Sequence, residues 1–326
     1  MIISRSPLRV SIGGGGTDLP SYFTANGGTT FSSLAINKYI YVSINERFIN
    51  TLLLRYSKNE EINDLKKIEH PIIRETLIAL KAKSMNLEIT STSDVPSGTG
   101  LGSSGSFGVA LQLALRSHLG LDLDKESLAL NSTNIEMNVL GRPIGLQDQY
   151  ISAYGGLTEF KVDEFSKVSI EKTDLNTDLK NLITENMLLF YADSSRDAST
   201  VLNNEKKIMQ SNRNTKQYEN IVELGKEMYR SLVSLDLENY GKIMHEYWLL
   251  KRERQKDFTL NSINEVYDYV FNKKLVFGGK LVGAGGSGFL LFCTIKPEEL
   301  RDQMSRFDMT ELKFSPDIDG AKLLEC

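Results

Sequence analysis

A glycine-rich run between two ordered segments constrains this chain most: residues 94–106 are Asp-Val-Pro-Ser-Gly-Thr-Gly-Leu-Gly-Ser-Ser-Gly-Ser. The run follows the strand-like segment Leu87–Ser93 and opens the apolar, helix-periodic stretch Phe107–Leu119. A glycine loop leading into a helix presents unpaired backbone N–H groups and the positive end of the helix dipole, which favour phosphate. The hydroxyls of Ser103 and Ser104 could reach a phosphate oxygen or its metal ion. A flexible surface turn is the weaker interpretation.

Other phosphate-binding motifs fit this run less well. Gly100, Gly102 and Gly105 form G-x-G-x-x-G, the dinucleotide fingerprint. In that fold the first glycine closes a turn directly at the strand end, whereas Asp94–Thr99 intervene here. The Walker A sequence and the H-R-D and D-F-G sequences of protein kinases are absent. An NAD-dependent oxidoreductase therefore remains a remote alternative.

Two further glycine runs lie toward the ends of the chain. The strand-like segment Ile2–Ile12 leads into Gly13–Gly16, and Asp18 follows at the predicted start of a short helix. An N-cap is the plain structural role for an aspartate at that place. Residues 280–292 are Lys-Leu-Val-Gly-Ala-Gly-Gly-Ser-Gly-Phe-Leu-Leu-Phe, ending in the hydrophobic strand Phe289–Ile295. Three such loops in one chain are hard to explain as unrelated turns.

In order and spacing the three runs resemble the motifs of the GHMP kinases, which include galactokinase, homoserine kinase, mevalonate kinase and phosphomevalonate kinase. The most specific part is Pro96–Ser104, which matches Pro-x-x-x-Gly-Leu-x-Ser-Ser. Within the family the chain is most similar to the heptose 7-phosphate kinase branch. The similarity lies in the G-G-G-T-D of the first run, in Gly145–Tyr150 and in Tyr191–Ala198. The resemblance implies an α+β fold of two domains with the active site in the cleft between them.

Phosphoryl transfer needs a cradle for the triphosphate, a divalent metal, a group that orients the acceptor hydroxyl, and a cation. The resemblance implies that Glu136 and Ser104 bind Mg²⁺, that Asp148 is the catalytic aspartate and that Arg9 is the cation beside it. Each of these residues also has a structural alternative. Glu136 could be a solvated helix position, Asp148 an N-cap, and Arg9 a surface arginine on an edge strand. The residues assigned to ATP are Pro96, Ser97, Gly98, Gly100, Leu101, Gly102, Ser103, Ser104, Gly105 and Ser106.

The acceptor side is less determined. Arg196 is the candidate for a phosphate on the substrate, because arginine suits bidentate phosphate recognition. Arg142 and the cluster Lys251, Arg252 and Arg254 are rivals, but neighbouring glutamates predict a solvated helix face for the cluster. The residues assigned to the acceptor are Gly14, Gly15, Gly16, Thr17, Asp18, Gln147, Arg196, Gly285 and Gly286.

Hydrophobic periodicity predicts strands and helices that do not alternate regularly, so a doubly wound parallel sheet is disfavoured. The predicted helices are His70–Ser84, Phe107–Leu119, Lys125–Leu140, Ala198–Met209, Gln217–Leu235, Leu237–Gln255 and Ser262–Phe271. The polar stretch Val162–Asp178 reads as the least ordered junction. We therefore predict an ATP-binding domain over residues 1–170 and a second domain over residues 171–326.

Composition excludes some classes of function. With 38 basic and 42 acidic residues the net charge is −4, which argues against a nucleic-acid surface. No apolar stretch reaches the roughly 18 residues of a membrane span, and no signal peptide is recognisable. Only Cys293 and Cys326 are present, so a disulfide framework is not expected. These features predict a cytoplasmic enzyme with a small-molecule substrate, and a homodimer is allowed for.

The sequence therefore predicts an ATP- and Mg²⁺-dependent sugar kinase acting on an anomeric hydroxyl. The resemblance favours D-glycero-D-manno-heptose 7-phosphate as acceptor, giving the 1,7-bisphosphate. Two alternatives stay open at this point. One is an anomeric kinase for a free sugar such as fucose or galactose, and the other is a non-catalytic regulator that binds sugar and ATP.

Overall fold

Two β-sheets organise the chain, and the glycine runs lie at strand ends between them. The computed structural model describes residues 1–82, 86–192, 215–254, 261–283 and 288–325. Its strands are β1 (Ile2–Gly13), β2 (Thr29–Glu46), β3 (Leu52–Arg55), β4 (Asn59–Ile62), β5 (Leu87–Ser93), β6 (Leu157–Val162), β7 (Val168–Thr173), β8 (Met187–Ala192), β9 (Gly278–Leu281), β10 (Gly288–Cys293), β11 (Thr310–Glu311) and β12 (Lys322–Leu324).

Helices cover the sheets and connect their strands. They are α1 (Pro20–Phe23), α2 (Pro71–Ala79), α3 (Ser103–His118), α4 (Lys125–Asn134), α5 (Gln147–Tyr154), α6 (Thr177–Asn186), α7 (Thr215–Val233), α8 (Leu237–Arg254), α9 (Asn261–Asn272) and α10 (Pro297–Ser305). A 3₁₀ turn, Leu65–Lys67, precedes α2, and a π-helical turn, Ile135–Val139, continues α4. No helix in the described part of the chain combines the length and hydrophobicity that crossing a bilayer requires.

The larger sheet has the order β12-β1-β2-β5-β3-β4, with β6 pairing β2 and β7 pairing β6. All its pairs are antiparallel except β3 with β5. The smaller sheet, β11-β8-β10-β9, is antiparallel throughout. Because β12 pairs with β1, a strand from beyond residue 320 joins the sheet that begins the chain. The mixed architecture confirms the predicted α+β fold, while the proposed boundary at residue 170 stays a prediction.

Strand β1 and helix α3 position the first two glycine runs. Every residue from Gly105 to Leu115 is buried, because α3 packs against β1 and β2. The register of β1 against β2 shifts between Pro7 and Leu8. Proline has no N–H to donate to a neighbouring strand, and its carbonyl accepts from the hydroxyl of Ser106 on α3 at 2.8 Å. This contact fixes the phosphate-loop helix to the strand that carries Arg9.

Some predicted elements differ from the structure. The prediction that Val162–Asp178 is the least ordered junction is wrong, since β7 pairs with β6 there and continues the sheet. The predicted helix Lys125–Leu140 changes to a π-helical turn at Ile135. The residues rich in Ile, Val and Tyr predict a strand over Lys38–Arg47, whereas β2 starts nine residues earlier, at Thr29. The predicted helix Ala198–Met209 lies outside the described residues.

Candidate active site

A cleft of about 250 Å³ gathers most of the predicted site residues. Its walls come from the end of β1, the start of α3, the π-helical turn, the start of α5, helix α8 and the end of β9. The predicted residues that line it are Arg9, Gly15, Gly16, Asp18, Gly98, Gly100, Gly102, Ser103, Ser104, Gly105, Glu136, Gln147 and Asp148.

The other predicted residues either lie outside the lining of the cleft or fall outside the described part of the chain. Leu101 and Ser106 are buried and anchor the loop, and Thr17 donates its hydroxyl to Gly14 O at 2.7 Å within the first glycine run. Pro96 and Ser97 also lie outside the lining. Arg196, Gly285 and Gly286 lie outside the described residues.

The second glycine run ends as a helix N-terminus directed into the cleft. Gly102 caps α3 in the left-handed conformation, with φ 79°, so the helix begins at Ser103. The hydroxyl oxygen of Ser103 is buried and has no hydrogen-bond partner among the described residues. Buried polar atoms are normally paired, and an orphan beside a helix N-terminus fits an anionic ligand. The start of α3 therefore has features that a phosphate cradle requires, and phosphate binding there stays a prediction.

The third glycine run supports the second through backbone contact. A Cβ on Gly283 would lie 2.7 Å from the Cα of Gly100, and one on Gly288 would lie 2.5 Å from Thr99 O. Gly283 has φ 84° and Gly288 has φ 130°, so both positions also favour glycine by conformation. Glycine at these positions lets the ends of β9 and β10 abut the phosphate loop.

Arg9 and Asp148 form an ion pair at the phosphate loop. The Nε and Nη2 atoms of Arg9 each lie 2.7 Å from Oδ1 of Asp148, and Nη1 donates to the carbonyl of Gly100. Arg9 is only 6% exposed, so the surface-arginine alternative is wrong. Asp148 lies in the first turn of α5, whose N-cap is Leu146, so the N-cap alternative is wrong as well.

Asp18 is a buried carboxylate held by two backbone groups. It accepts from Gly16 N at 3.1 Å and from Gln147 N at 3.0 Å, and it caps no helix, because Leu19 precedes α1. Burial, reinforced by the charge of Asp148, raises the pKa of Asp18 to about 6, although the backbone N–H groups lower it. A Cβ on Gly145 would lie 1.9 Å from Oδ2 of Asp18, so the glycine makes this approach sterically feasible.

Glu136 is buried on the π-helical turn and takes three contacts. Its Oε2 accepts from Ser104 Oγ and from Arg142 Nη1 at 2.8 Å, and its Oε1 accepts from Gln149 Nε2 at 2.9 Å. With 1% exposure, the alternative of a solvated helix position is wrong. Gln149 is a member of this cluster that sequence reasoning missed.

A magnesium ion fits the donors around Glu136. No cluster of three or more histidine, cysteine or acidic side chains occurs within the described ranges. Magnesium in phosphoryl-transfer sites needs no such cluster, because one or two protein ligands are completed by phosphate oxygens and water. Glu136 and Ser104 are oxygen donors in mutual contact beside the orphaned hydroxyl of Ser103. These residues could hold the ion together with a nucleotide.

Two buried lysines in the wall correct the sequence analysis. Lys251 is 7% exposed, and its Nζ donates to Leu281 O at 3.0 Å and Gly283 O at 2.5 Å. The predicted solvated face is therefore wrong for Lys251, although Arg252 on the same helix does pair with Asp268. Lys280, which sequence reasoning missed, is 2% exposed and also lines the cleft.

Comparison with known proteins shows which protein family part of this chain matches. Residues 71–156, which hold the phosphate loop, Glu136 and Asp148, match the model of the GHMP kinases N terminal domain. With the kinases described below, this match identifies a kinase that transfers phosphate to an alcohol group, as the sequence predicted. The predicted resemblance to the GHMP kinases is confirmed.

Relatives and solved structures cover nearly the whole chain. D-glycero-alpha-D-manno-heptose 7-phosphate kinase of Campylobacter jejuni is 22% identical over 306 residues, covering 89% of this chain and 88% of that protein. Galactokinase of Thermotoga maritima is 24% identical, covering 93% and 94% of the two chains. The crystal structure of a D-glycero-D-manno-heptose 1-phosphate kinase from Bacteroides thetaiotaomicron superposes with a TM-score of 0.81 at 20% identity, covering 100% and 99%.

Proposed function

We propose that the protein is an ATP-dependent sugar kinase that phosphorylates the anomeric hydroxyl of a sugar phosphate. D-glycero-D-manno-heptose 7-phosphate is the best-supported acceptor, and its product would be the 1,7-bisphosphate. The observation that carries the proposal is the Arg9–Asp148 pair at the N-terminal end of α3. It joins a carboxylate for the acceptor proton to a cradle for the donor phosphates.

The geometry of Asp148 supports its role as the group that receives the proton. Both contacts from Arg9 go to Oδ1, and a Cβ on Gly102 would lie 3.3 Å from Oδ2. Oδ2 thus faces the loop that would hold the donor. The acceptor oxygen attacks the γ-phosphorus, the bond to the bridging oxygen of ADP breaks, and the hydroxyl proton passes to Oδ2 of Asp148.

The remaining residues bind and orient. The N–H groups at the start of α3 and the hydroxyl of Ser103 would bind the triphosphate of ATP. Asp18 would accept hydrogen bonds from acceptor hydroxyls, and Gly15 and Gly16 let the acceptor approach the backbone of the first run. Magnesium, held by Glu136 and Ser104, would neutralise charge on the donor phosphates. Arg196 stays a prediction as the partner of the acceptor's phosphate.

The names of the relatives leave the position of transfer to be tested. The Campylobacter relative is named a heptose 7-phosphate kinase and the Bacteroides structure a heptose 1-phosphate kinase. The experiment is a transfer assay with ATP and Mg²⁺ against heptose 7-phosphate, heptose 1-phosphate, free heptose, galactose and fucose. The ³¹P NMR spectrum of each product locates the new phosphate, and Asp148→Asn gives the background rate.

Each outcome separates two interpretations. The proposal predicts the highest kcat/KM with heptose 7-phosphate and a new phosphate on the anomeric carbon. Preference for galactose or fucose would refute the sugar-phosphate acceptor and keep the anomeric kinase. ATP binding without transfer to any acceptor would instead support the non-catalytic regulator.

A further inference from the structure

The wall of the cleft formed by α8 and β9 carries two lysines that the proposed transfer step does not use. The Nζ atom of Lys280 donates to Ile12 O at 2.5 Å and lies 4.8 Å from the ring centroid of Tyr247. Lys251 contacts the carbonyls of Leu281 and Gly283, at the end of the same strand. Both lysines are buried and both line the cleft.

Within the described ranges, the charged side chains around the cleft leave Lys280 without a neutralising carboxylate. Arg9 pairs with Asp148, and Arg142 pairs with Glu136. Lys280 has no carboxylate within ion-pair distance among the residues that the structure describes. Burial, together with the positive charges of Lys251 and Arg9, holds its pKa well below the ordinary value. A buried ammonium group facing a cleft is costly until an anion joins it.

The position of Lys280 in the cleft indicates which anion would neutralise it. The hydroxyl of Tyr247, whose ring lies under Lys280, donates to Gly15 O at 3.3 Å. Lys280 itself donates to Ile12, directly before the first glycine run. That run contains the residues assigned to the acceptor, whereas the donor phosphates have their own helix N-terminus at Ser103. The lysine wall therefore adjoins the acceptor side of the cleft.

We propose that Lys280, with Lys251 beside it, forms a second phosphate subsite that receives a phosphate ester carried by the acceptor. This inference rests on the proposed function and assigns to described residues the task predicted for Arg196. A sugar phosphate would place hydroxyls at Asp18 and its dianion at Lys280. These two groups have opposite charge and no ion-pair partner in the described chain, so they would orient the acceptor in one direction.

Steady-state kinetics of Lys280→Met test the subsite. Methionine keeps the length and apolar stem of the lysine and removes the charge. We expect KM for the sugar phosphate to rise about ten- to a hundredfold, the loss typical of a charge-assisted phosphate contact. KM for ATP and kcat/KM for the unphosphorylated sugar should stay at wild type. The matched control is Lys242→Met, an exposed lysine of α8 that pairs with Glu238. A parallel fall of kcat with both sugars would overturn the proposal, because Lys280 would then act on the transferred phosphoryl group.

A binding measurement separates the subsite from the sugar kinase assignment. The full-length protein is saturated with Mg²⁺ and a non-hydrolysable ATP analogue, and inorganic phosphate is then titrated by calorimetry at about pH 8, where phosphate is mostly a dianion. Lys280→Met and Lys251→Met should both bind phosphate about tenfold more weakly or worse.

The outcomes of the titration are distinct. Unchanged phosphate affinity in folded Lys280→Met, with folding checked by thermal unfolding, would overturn the subsite whatever the acceptor is. If that variant does not fold, unchanged phosphate affinity in Lys251→Met overturns the subsite, and weaker binding there supports it. If the wild-type protein phosphorylates no sugar but binds phosphate, and Lys280→Met weakens that binding, the proposed function is refuted and the subsite stands.

Discussion

Arg9 holds Asp148 through one carboxylate oxygen only: Nε and Nη2 both lie 2.7 Å from Oδ1. The same guanidinium donates to the carbonyl of Gly100, and Arg9 N donates to Leu101 O at 3.0 Å. One residue of β1 thus fixes the orientation of Asp148 relative to the phosphate loop. The arrangement leaves Oδ2 beside Gly102 of the loop, where the proposed acceptor hydroxyl would lie.

Asp148→Asn tests the proton acceptor. The amide keeps an oxygen for Arg9 but cannot accept a proton, so kcat should fall by about 10²–10⁴, the range for one acid–base group. ATP affinity should stay near wild type in a binding titration. Asp178→Asn, on the exposed first turn of α6, is the matched control and should leave kcat unchanged. Near-normal turnover in Asp148→Asn would remove the aspartate from the chemical step.

Glu136→Gln tests the metal site. Glutamine keeps the size of the side chain but removes the charge, so a higher Mg²⁺ concentration should be needed for half-maximal activity. The measurement is a magnesium titration of initial rate at saturating ATP. Glu126→Gln, an exposed position in the first turn of α4, should behave as wild type. An unchanged magnesium dependence in Glu136→Gln would place the ion elsewhere.

The raised pKa of Asp18 makes the free energy of unfolding depend on pH. Its pKa is raised from 3.8 to about 6, so between these values the folded state binds more protons than the unfolded state. Stability therefore falls as pH rises through that window, by about 3 kcal/mol in total. Asp18→Asn lacks this contribution. Urea denaturation at pH 4 and pH 7 should show the wild type losing about that amount relative to the variant. Equal pH dependence of the two proteins would mean that Asp18 has an ordinary pKa.

Gly105→Ala tests the close packing of α3 against α5. A Cβ there would lie 2.7 Å from Cβ of Asp148 and 3.0 Å from its carbonyl carbon, so the aspartate must shift. A misplacement of this kind should reduce kcat by about 10²-fold. Gly108→Ala, one turn along the helix, is the matched control, because its nearest neighbour would be Ser132 Cβ at 3.4 Å. Alanine there should keep kcat and raise stability by about 1 kcal/mol. Equal kcat values for the two variants would contradict the packing argument.

The sequence predicted the turn between β5 and α3 well, because the signal for that turn lies in adjacent residues. Glycine and serine between a strand and a helix specify the turn, and β5 matches the predicted segment Leu87–Ser93 at both ends. The environment of Asp18 could not be predicted in this way. One of its two backbone partners, the N–H of Gln147, is 129 residues away, and only the folded chain brings the two together.

The burial of Lys251 could have been predicted from the helical periodicity of the sequence. Met244, Tyr247 and Trp248 are buried, and Lys251 follows them at helical spacing on the same face. The adjacent charged residues obscured this periodicity and favoured the solvated interpretation. The sequence gives less indication that Lys280 is buried, because a lysine in a short glycine-containing strand does not reveal which element packs over it. Its burial follows from the packing of β9 against α8.

In the contact between Gly100 and Gly283, the loop after β5 meets the residues that follow β9 backbone to backbone. Interdigitated side chains resist sliding, because any rotation must repack them. Here backbone meets backbone with no side chain between, so the contact can serve as a pivot. Rotation about it would change the width of the cleft far from the pivot and leave the adjoining phosphate loop nearly in place. Closure over an acceptor would then proceed without disturbing a nucleotide that is already bound.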